Sequence, residues 1–333
     1  IKETPQVIER ILENKAQFVE IVSRIKRAKI QSVMIAARGT SDNAAHYLKH
    51  LIEVQLGIPV GLASPSVASI YNSKLNYQGA LIVALSQSGQ SPDLVTYIKA
   101  ARAGNGLTLA ITNDASSPLA KTAELHIDLL AGNEIAVAAT KSYTAQLFTS
   151  FLLVKLWQDD KGDFSSIAIE AKRLLDELGA IDTVLGGLSK DSSIVVIGRG
   201  YSYGNARELA LKIQETSHIT VQGMSAADYL HGPIAAVNSE TRVLILYPKG
   251  SSTSGLSSTV ARLREITKNL IWFGETSDAK QGEIAIAGCK IEVEEIAAIL
   301  DAIVLQMFAC KFAIRNGFDP DSPKGLGKVT LTL

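Results

Sequence analysis

The sequence has almost no cysteine, and this scarcity excludes one class of protein at once. Only Cys289 and Cys310 occur among 333 residues, which is too few for the disulfide framework of a small extracellular scaffold. The N-terminus shows no basic segment followed by an apolar run, the pattern of a secretory signal peptide. These two observations predict a protein of the reducing cytoplasm.

An excess of charge of one sign is also missing. Lys and Arg together number 33, as do Asp and Glu, whereas a nucleic-acid-binding protein would show a basic excess. The longest apolar stretch, from Ile296 to Ala313, is interrupted by Asp301, Gln306 and Lys311, and predicts a buried helix rather than a membrane span. We therefore expect a soluble protein whose partner is a small molecule, with neither nucleic acid nor membrane.

Apolar runs rich in Val and Ile alternate with helical patterns along the chain, which predicts an α/β protein with parallel sheets flanked by helices. Six runs are predicted to be strands: Ser32–Ala37, Ala80–Leu85, Leu107–Thr112, Ile194–Gly198, Val243–Tyr247 and Leu270–Phe273. The nine residues from Val33 (VMIAARGTS) recur in diverged form from Ile194 (IVVIGRGYS), 161 residues further on, and Gly89 corresponds to Gly250 by the same offset. Two diverged copies of one α/β unit are therefore expected.

The joint between the two copies is predicted near Asp159–Ile181, where the composition turns polar and then helical. This boundary gives a first domain of residues 1–160, with an N-terminal helix and a candidate phosphate-binding loop. The second domain, residues 161–333, then contains a candidate catalytic helix and the C-terminal tail.

A serine-rich loop follows the predicted strand Ala80–Leu85. It reads Ser86-Gln-Ser-Gly-Gln-Ser91 and runs into a helical pattern near Leu94. Hydroxyl and backbone N–H donors at the start of a helix form an anion site, although an ordinary turn also uses serine to cap the helix that follows. Three serines exceed what a cap requires and favour the anion. The equivalent loop in the second copy, Tyr247–Ser251, has lost two of the three serines, so we expect phosphate in the first copy only.

A second loop, Arg38-Gly-Thr-Ser41, also follows a strand and precedes a helix. Ser41 could cap that helix or donate its hydroxyl to the same anion, and capping is the more common use of such a serine. In open α/β sheets, loops at the carboxyl ends of neighbouring strands hold the ligand. This placement keeps Ser41 among the candidates for anion binding.

Candidate acid–base groups are concentrated in the second copy. Glu208, Lys212 and Glu215 occur at spacings of four and three and share one helical face, which as an isolated pattern is more typical of a solvated charged surface. His231 lies in a Gly-Pro turn, where core packing does not explain it, and histidine titrates near neutral pH. A glutamate can move a proton between neighbouring carbons, and a histidine can assist the opening of a sugar ring.

Seven segments, in this order, resemble the sugar isomerase (SIS) superfamily. They are Arg38-Gly-Thr-Ser41, Ser86-Gln-Ser-Gly-Gln-Ser91, Gly132-Asn-Glu-Ile-Ala-Val-Ala-Ala-Thr-Lys141, Gly198-Arg-Gly200, Ala210-Leu-Lys-Ile-Gln-Glu215, Leu230-His-Gly-Pro233 and the lysine-containing tail. The resemblance runs from Glu3 to Lys328 and is greatest to the tandem-SIS isomerase half of glucosamine-6-phosphate synthases and to SIS-type glucosamine-6-phosphate deaminases. It implies two tandem SIS domains, each a three-layer, flavodoxin-like α/β/α structure around a parallel sheet.

The resemblance also implies positions that bind the substrate. Those that match the phosphate-binding positions of the family are Ser41, Ser86, Gln87, Ser88 and Ser91. Thr40 and the backbone of Val137 match positions that contact the sugar. No metal ion or other cofactor is implied.

Catalytic roles are carried over in the same way. Glu215 matches the carboxylate that moves a proton between carbons one and two, and Lys212 lies one helical turn away. His231 matches a ring-opening histidine that, in this family, reaches in from the partner subunit, so a homodimer is implied. Lys328 matches a tail lysine that closes on the sugar.

The resulting expectation is a deaminase of amino sugar metabolism, a hydrolase that converts glucosamine 6-phosphate to fructose 6-phosphate and ammonia. The chain carries no glutaminase domain with a nucleophilic cysteine, so we expect it to lack an ammonia source of its own. Two alternatives stay open: a fructosamine-6-phosphate deglycase or related phosphosugar isomerase, and a non-catalytic sugar-phosphate sensor. Departures from the family pattern at Asp228, Ala139 and Gly327 leave the identity of the sugar open.

Overall fold

The computed structural model describes residues 1–328, which form two compact units. The first unit comprises Gln6–Glu134 and Lys141–Ser165, together with Gly327 and Lys328. The second unit comprises Ile1–Pro5, Ile135–Thr140 and Ser166–Leu326. The chain thus changes unit between residues 165 and 166, while short segments at both ends and at residues 135–140 are exchanged between the units.

Each unit contains one five-stranded, fully parallel sheet. The strands of the first sheet are β1 Ser32–Ala36, β2 Val60–Leu62, β3 Ala80–Ser86, β4 Leu107–Thr112 and β5 Leu125–Asp128, in the order β2-β1-β3-β4-β5. Those of the second sheet are β6 Ile194–Gly198, β7 Gln222–Ser225, β8 Arg242–Tyr247, β9 Leu270–Gly274 and β10 Ile284–Ala287, in the order β7-β6-β8-β9-β10. The two orders are the same, which confirms the repeat.

Helices connect and flank these strands, as parallel sheets require. In the first unit they are α1 Thr4–Glu13, which starts in the second unit, α2 Ala16–Arg27, α3 Thr40–Leu56, α4 Ser66–Ser69, α5 Pro92–Ala103, α6 Pro118–Thr122 and α7 Lys141–Trp157. The second unit contains α8 Ser165–Asp176, whose first residue still belongs to the first unit, α9 Ala180–Leu185, α10 Tyr203–Ser217, α11 Ala226–Leu230, α12 Ser254–Arg264 and α13 Glu294–Arg315. The predicted α/β class, with helices on a parallel sheet in each copy, is confirmed.

The six predicted strands are the three central strands of each sheet. Both faces of a central strand are covered, so its sequence is a continuous apolar run: every residue of Ala80–Ser86 is buried. Four edge strands, β2, β5, β7 and β10, were not predicted from the sequence. They are only three or four residues long and partly exposed, so they lack the long Val/Ile run that marks the centre.

Two long helices are buried on nearly all sides. In α7, every residue from Lys141 to Val154 is buried, including several polar ones. Helix α13 is long and apolar enough to cross a membrane by length and composition, but 78% of its most apolar window is buried inside the protein. This burial agrees with the predicted core helix between Ile296 and Ala313.

Candidate active site

The serine loop connects β3 to α5 at the carboxyl edge of the first sheet. Gly89 adopts a left-handed backbone conformation, φ +63°, which turns the chain sharply. The Oγ of Ser86 accepts a hydrogen bond from the N–H of Gly89 at 3.0 Å, and the Oγ of Ser88 accepts one from the N–H of Gln90 at 3.3 Å. Both hydroxyl oxygens therefore act as acceptors within the loop and retain their protons for donation to an anion.

Ser91 occupies the N-cap position of α5 but makes no capping hydrogen bond with its side chain. The alternative that the serines of this loop merely cap the helix therefore lacks its defining contact in the described part of the chain. Gln87 lies half-buried between Ser86 and Ser88, and its carbonyl accepts the N–H of Asn113 at 3.0 Å. The loop is thus tied to the start of the segment that follows β4.

The Arg38–Ser41 loop lies beside the serine loop, because β1 and β3 pair in parallel up to Ala36 and Ala84. Helix α3 begins at Thr40, with Gly39 as its N-cap, so of the two uses considered for Ser41, capping of this helix does not hold. Ser41 instead lies inside the first turn, 7% exposed, and its Oγ accepts a hydrogen bond of 2.8 Å from Nε2 of Gln146 on α7. Thr40 is half-buried at the first helical position.

An ion pair joins the two loops. The Nε and Nη2 atoms of Arg38 lie 2.9 and 2.8 Å from Oδ2 of Asp93 in the first turn of α5. The Asp93 side chain is fully buried, and its Oδ1 accepts the N–H of Leu94 at 2.8 Å. A buried carboxylate at this helix end would repel an anion, so the Arg38 guanidinium neutralises it where phosphate is predicted to bind.

The equivalent position in the second copy is occupied by a carboxylate of the protein itself. Oε2 of Glu294, in the first turn of α13, accepts the N–H of Ser252 at 3.3 Å. A Cβ atom on Gly250 would lie only 2.3 Å from this oxygen, and one on Gly200 would lie 3.2 Å from Oε1. Glu294 therefore lies between the two loops that correspond to the Arg38 and Ser86 loops of the first copy.

The three charged residues of α10 are not a solvated surface. Glu208 and Lys212 are each 3% exposed, and Glu215 is partly exposed. The ammonium group of Lys212 is in ion-pair contact with Glu215 and lies 3.6 Å from Oε1 of Glu208. Burying charged groups costs desolvation free energy unless they are paired, and here the buried Lys212 pairs with both glutamates. A cluster of this kind is not explained as a solvated surface.

Lys212 lines a cavity of about 340 Å³ within the second unit. The other polar side chains that line it are Lys2, Glu3, Thr140, Thr216, Gln306, Cys310 and Asp321. Val137 lies between Ala136 and Ala138, which both line this cavity, and its N–H donates to the carbonyl of Asp321 at 3.1 Å. This bond leaves the carbonyl oxygen of Val137 as the backbone group that can contact a sugar.

The tail lysine is held by a buried carboxylate. Nζ of Lys328 lies 2.9 Å from Oε2 of Glu134, whose side chain is only 4% exposed. Glu134 also accepts the N–H and the hydroxyl of Ser142, at 3.1 and 2.7 Å, at the start of α7. The carboxylate thus caps a helix and pairs with the tail at the same time.

His231 lies at the exposed C-terminal end of α11, followed by Gly232 with φ +134°. Its backbone N–H donates to the carbonyl of Asp228 at 3.1 Å, and its imidazole makes no hydrogen bond or ion pair within residues 1–328. The prediction that His231 is not a core residue is confirmed. The structure does not bring it into contact with Glu215 in the single chain.

Sequence reasoning missed the residues that hold the predicted site residues in place. Gln146 and Asp93 are buried polar side chains, but burial cannot be recognised before it is known that α7 is covered on all sides. Glu134 was part of a recognised segment, yet its partners lie 8 and 194 residues away. Glu134 lies seven residues before the first residue of α7, outside the N-cap position, so no local signal indicates its capping role.

Similarity to known proteins extends over nearly the whole chain. The SIS domain model matches residues 26–156 and 187–315. A glutamine–fructose-6-phosphate aminotransferase (isomerizing) of Methanothermobacter thermautotrophicus is 30% identical over 333 residues, covering 98% of this chain and 56% of that protein. The chain thus spans about half the length of the curated relatives it matches.

Solved structures give the same picture of the fold. A provisionally assigned phosphosugar isomerase of Silicibacter pomeroyi is 28% identical, with a TM-score of 0.83, over 96% of this chain and 98% of that one. A glucosamine-6-phosphate deaminase of Thermotoga maritima is 23% identical, with a TM-score of 0.76, over 100% of both chains. With one match in each copy of the repeated fold, the chain belongs to the SIS domain family.

Proposed function

We propose that the protein is a phosphosugar isomerase of the SIS family and, more specifically, a glucosamine-6-phosphate deaminase of the cytoplasm. The reaction would yield fructose 6-phosphate and ammonia. The observation that carries the proposal is the Glu208–Lys212–Glu215 cluster, because it presents the partly exposed carboxylate of Glu215 beside a buried, fixed ammonium group. The other unit of the protein offers hydroxyl donors for a phosphate.

Phosphate binding would use the serine loop of the first unit. The hydroxyl protons of Ser86 and Ser88 are free to donate, because the oxygens of both groups already accept a backbone N–H. Ser41 and Ser91 add two further hydroxyls, and the Arg38–Asp93 pair removes the repulsion of a buried carboxylate. Together they form a donor-rich setting for a dianion at the start of a helix.

The chemistry would use the groups of α10. In the open-chain form of the sugar, Glu215 takes the proton from carbon two and returns it to carbon one, while a second proton passes from the amine nitrogen to the oxygen on carbon one. The aldehyde thereby becomes a hydroxymethyl group and the amine becomes an imine. Water then adds to the imine carbon, and ammonia leaves to give the ketone. Lys212, fixed by Glu208 and Glu215, supplies the positive charge that stabilises the negative charge developing on the sugar oxygens.

Ring opening is assigned to His231 of a partner subunit in a homodimer. Two features support this part of the proposal: the imidazole is exposed, and it has no partner among the described residues of its own chain. Lys328 would close on the sugar from the tail, exchanging its contact with Glu134 for one with the substrate.

A second candidate is the isomerase half-reaction of an aminotransferase, which builds the amino sugar rather than degrading it. The 30% identity to glutamine–fructose-6-phosphate aminotransferase favours it. The proton transfer between carbons one and two is the same in both directions, so the residues named above serve either reaction.

Ammonia release tests the proposal. Purified protein is given glucosamine 6-phosphate, galactosamine 6-phosphate or a glycated amino acid 6-phosphate, and ammonia is followed by coupling to glutamate dehydrogenase. Release from glucosamine 6-phosphate alone is the expected result. Release from the glycated amino acid alone would assign a deglycase instead. A rise in melting temperature with glucosamine 6-phosphate, without turnover in either direction, would indicate a sensor and would withdraw the roles of Glu215 and His231.

A further inference from the structure

Among residues 1–328, the side chain of Gln146 is the only group that forms a hydrogen bond with the hydroxyl of Ser41. Gln146 is 1% exposed and Ser41 is 7% exposed, and they lie 105 residues apart in sequence. Nε2 of Gln146 donates to Oγ of Ser41 at 2.8 Å. The contact therefore reaches from the buried helix α7 to the first turn of α3, where the phosphate is proposed to bind.

This contact fixes how the serine can be used. A hydroxyl group has one proton and two lone pairs, and an amide NH₂ can only donate. Ser41 therefore acts as the acceptor toward Gln146, and its proton has no acceptor within residues 1–328. Since a phosphate oxygen can only accept, the orientation imposed by Gln146 is the one that an anion requires.

The other half of the amide carries a cost. Oε1 of Gln146 is buried and has no hydrogen-bond partner among the described residues. A buried carbonyl without a partner destabilises the fold by the loss of its hydration, so a leucine or methionine at this position would pack with less penalty. An amide is expected at such a place when its donor group serves a ligand site.

We propose that Gln146 is a positioning residue of the phosphate site, which holds the Ser41 hydroxyl as a donor toward the anion. The inference rests on the proposed function, because it assumes that the anion lies on the side of Ser41 that faces the serine loop. Gln146 itself does not touch the substrate in this scheme. It acts through Ser41 alone, and that restriction makes the proposal testable by coupling.

The test is a double-mutant cycle between Gln146→Met and Ser41→Ala. Each single variant is expected to weaken the binding of inorganic phosphate, measured by calorimetry, and to raise KM for glucosamine 6-phosphate by about tenfold, the usual effect of one hydrogen bond to a charged group. Turnover at saturating substrate is expected to stay within about twofold, because the bond acts on binding. The double variant is expected to be no weaker than either single variant.

Two further variants guard the interpretation. Thr149→Val is the matched control, because the hydroxyl of Thr149 is buried on the same helix and forms no hydrogen bond, to Ser41 or to any other described residue. It is expected to leave KM unchanged. If Gln146→Met fails to fold, Gln146→Asn takes its place, since it retains an amide on α7 but shortens the side chain that reaches Ser41.

The outcomes separate this inference from the proposed function. Additive losses in the cycle, or unchanged phosphate affinity in Gln146→Met, would overturn the positioning role even if Ser86→Ala and Ser88→Ala still weaken phosphate binding. If the Ser86 and Ser88 variants also leave phosphate affinity unchanged, the phosphate site itself is wrong. If the losses of affinity for glucosamine 6-phosphate in the cycle are non-additive, the result supports both the positioning role of Gln146 and the proposed phosphate site.

Discussion

Arg38 and Asp93 lie 55 residues apart in sequence and form a two-point ion pair across the carboxyl edge of the first sheet. Their exposure is unequal, because the Asp93 side chain is fully buried whereas that of Arg38 is 45% exposed. The pair therefore has one partner that can return to water and one that cannot.

This inequality predicts unequal effects of removing either partner. Arg38→Ala strands a buried carboxylate and is expected to lower the free energy of unfolding by about 2–3 kcal/mol. Asp93→Asn leaves an arginine that can be hydrated and is expected to cost less than about 1 kcal/mol. Urea unfolding at neutral pH measures both, and equal losses would contradict the asymmetry.

Glu215→Gln is expected to lower turnover of glucosamine 6-phosphate by about 10² to 10⁴-fold, because the amide cannot accept the proton from carbon two. Ligand binding, followed as the shift in melting temperature with glucosamine 6-phosphate, should persist. Glu240→Gln, which removes an exposed carboxylate of the same unit, serves as the control. Near-normal activity in Glu215→Gln would refute its assignment as the base.

The contact between Glu134 and Lys328 predicts that the two residues act as a unit. Glu134→Gln retains an acceptor for Ser142 but loses the ion pair with the tail. We expect Glu134 to hold the tail in place before Lys328 closes on the sugar, so Glu134→Gln and Lys328→Met should lower turnover to a similar extent, and the double variant should fall no further. Steady-state kinetics of the three variants decides, and full activity of Glu134→Gln would exclude docking as a requirement.

Asp301 gives the protein a pH-dependent stability that is separate from catalysis. Burial on α13 raises the pKa of this carboxyl group to about 7, and the N–H of Cys289 donates to its Oδ1 at 2.8 Å. Between pH 4 and pH 7 the folded state then binds more protons than the unfolded chain, so the free energy of unfolding falls as pH rises through this window, by up to about 4 kcal/mol. Above the folded-state pKa the loss is complete.

Asp301→Asn removes this ionisation and retains an acceptor for the N–H of Cys289. The variant is expected to melt at a higher temperature than the parent at pH 8, and the difference should vanish near pH 4–5, where the parent is protonated. Asp182→Asn is the control, because the Asp182 carboxylate is mostly exposed and pairs with Lys311. An equal gain at both pH values would contradict ionisation as the cause.

The sequence was sufficient for the parts of the molecule that depend on local pattern. The central strands are continuous apolar runs. Gly39 and Gly200 lie at the same place in the repeat, and both have a positive φ. The edge strands, by contrast, are stabilised by pairing with a neighbour rather than by their own composition. The sequence alone does not reveal which strand pairs with which, so these edge strands were not predicted.

The same distinction applies to the candidate site. The serine loop was recognised because its donors are contiguous, from Ser86 to Ser91. The burial of Glu208 and Lys212 was not, since an i, i+4 pair of opposite charges is also found on solvated helices. Gln146 and Asp93 act on residues that are distant in sequence, and only the packing of α7 against α3, and of the β3–α5 loop beside β1, brings them together.

Glu294 is a ligand that the second copy carries with it. Its carboxylate belongs to the same chain as the loop that it contacts, although it lies 42 residues from Ser252 in sequence. It is therefore held at that loop by the fold, so a dissolved phosphate has to compete with a group whose effective concentration there is high. To bind at this loop, a dissolved phosphate must first displace the carboxylate of Glu294, which is covalently part of the protein. A chain with two copies of the fold is therefore expected to take up one phosphate, in the first copy, because Glu294 occupies the corresponding place in the second.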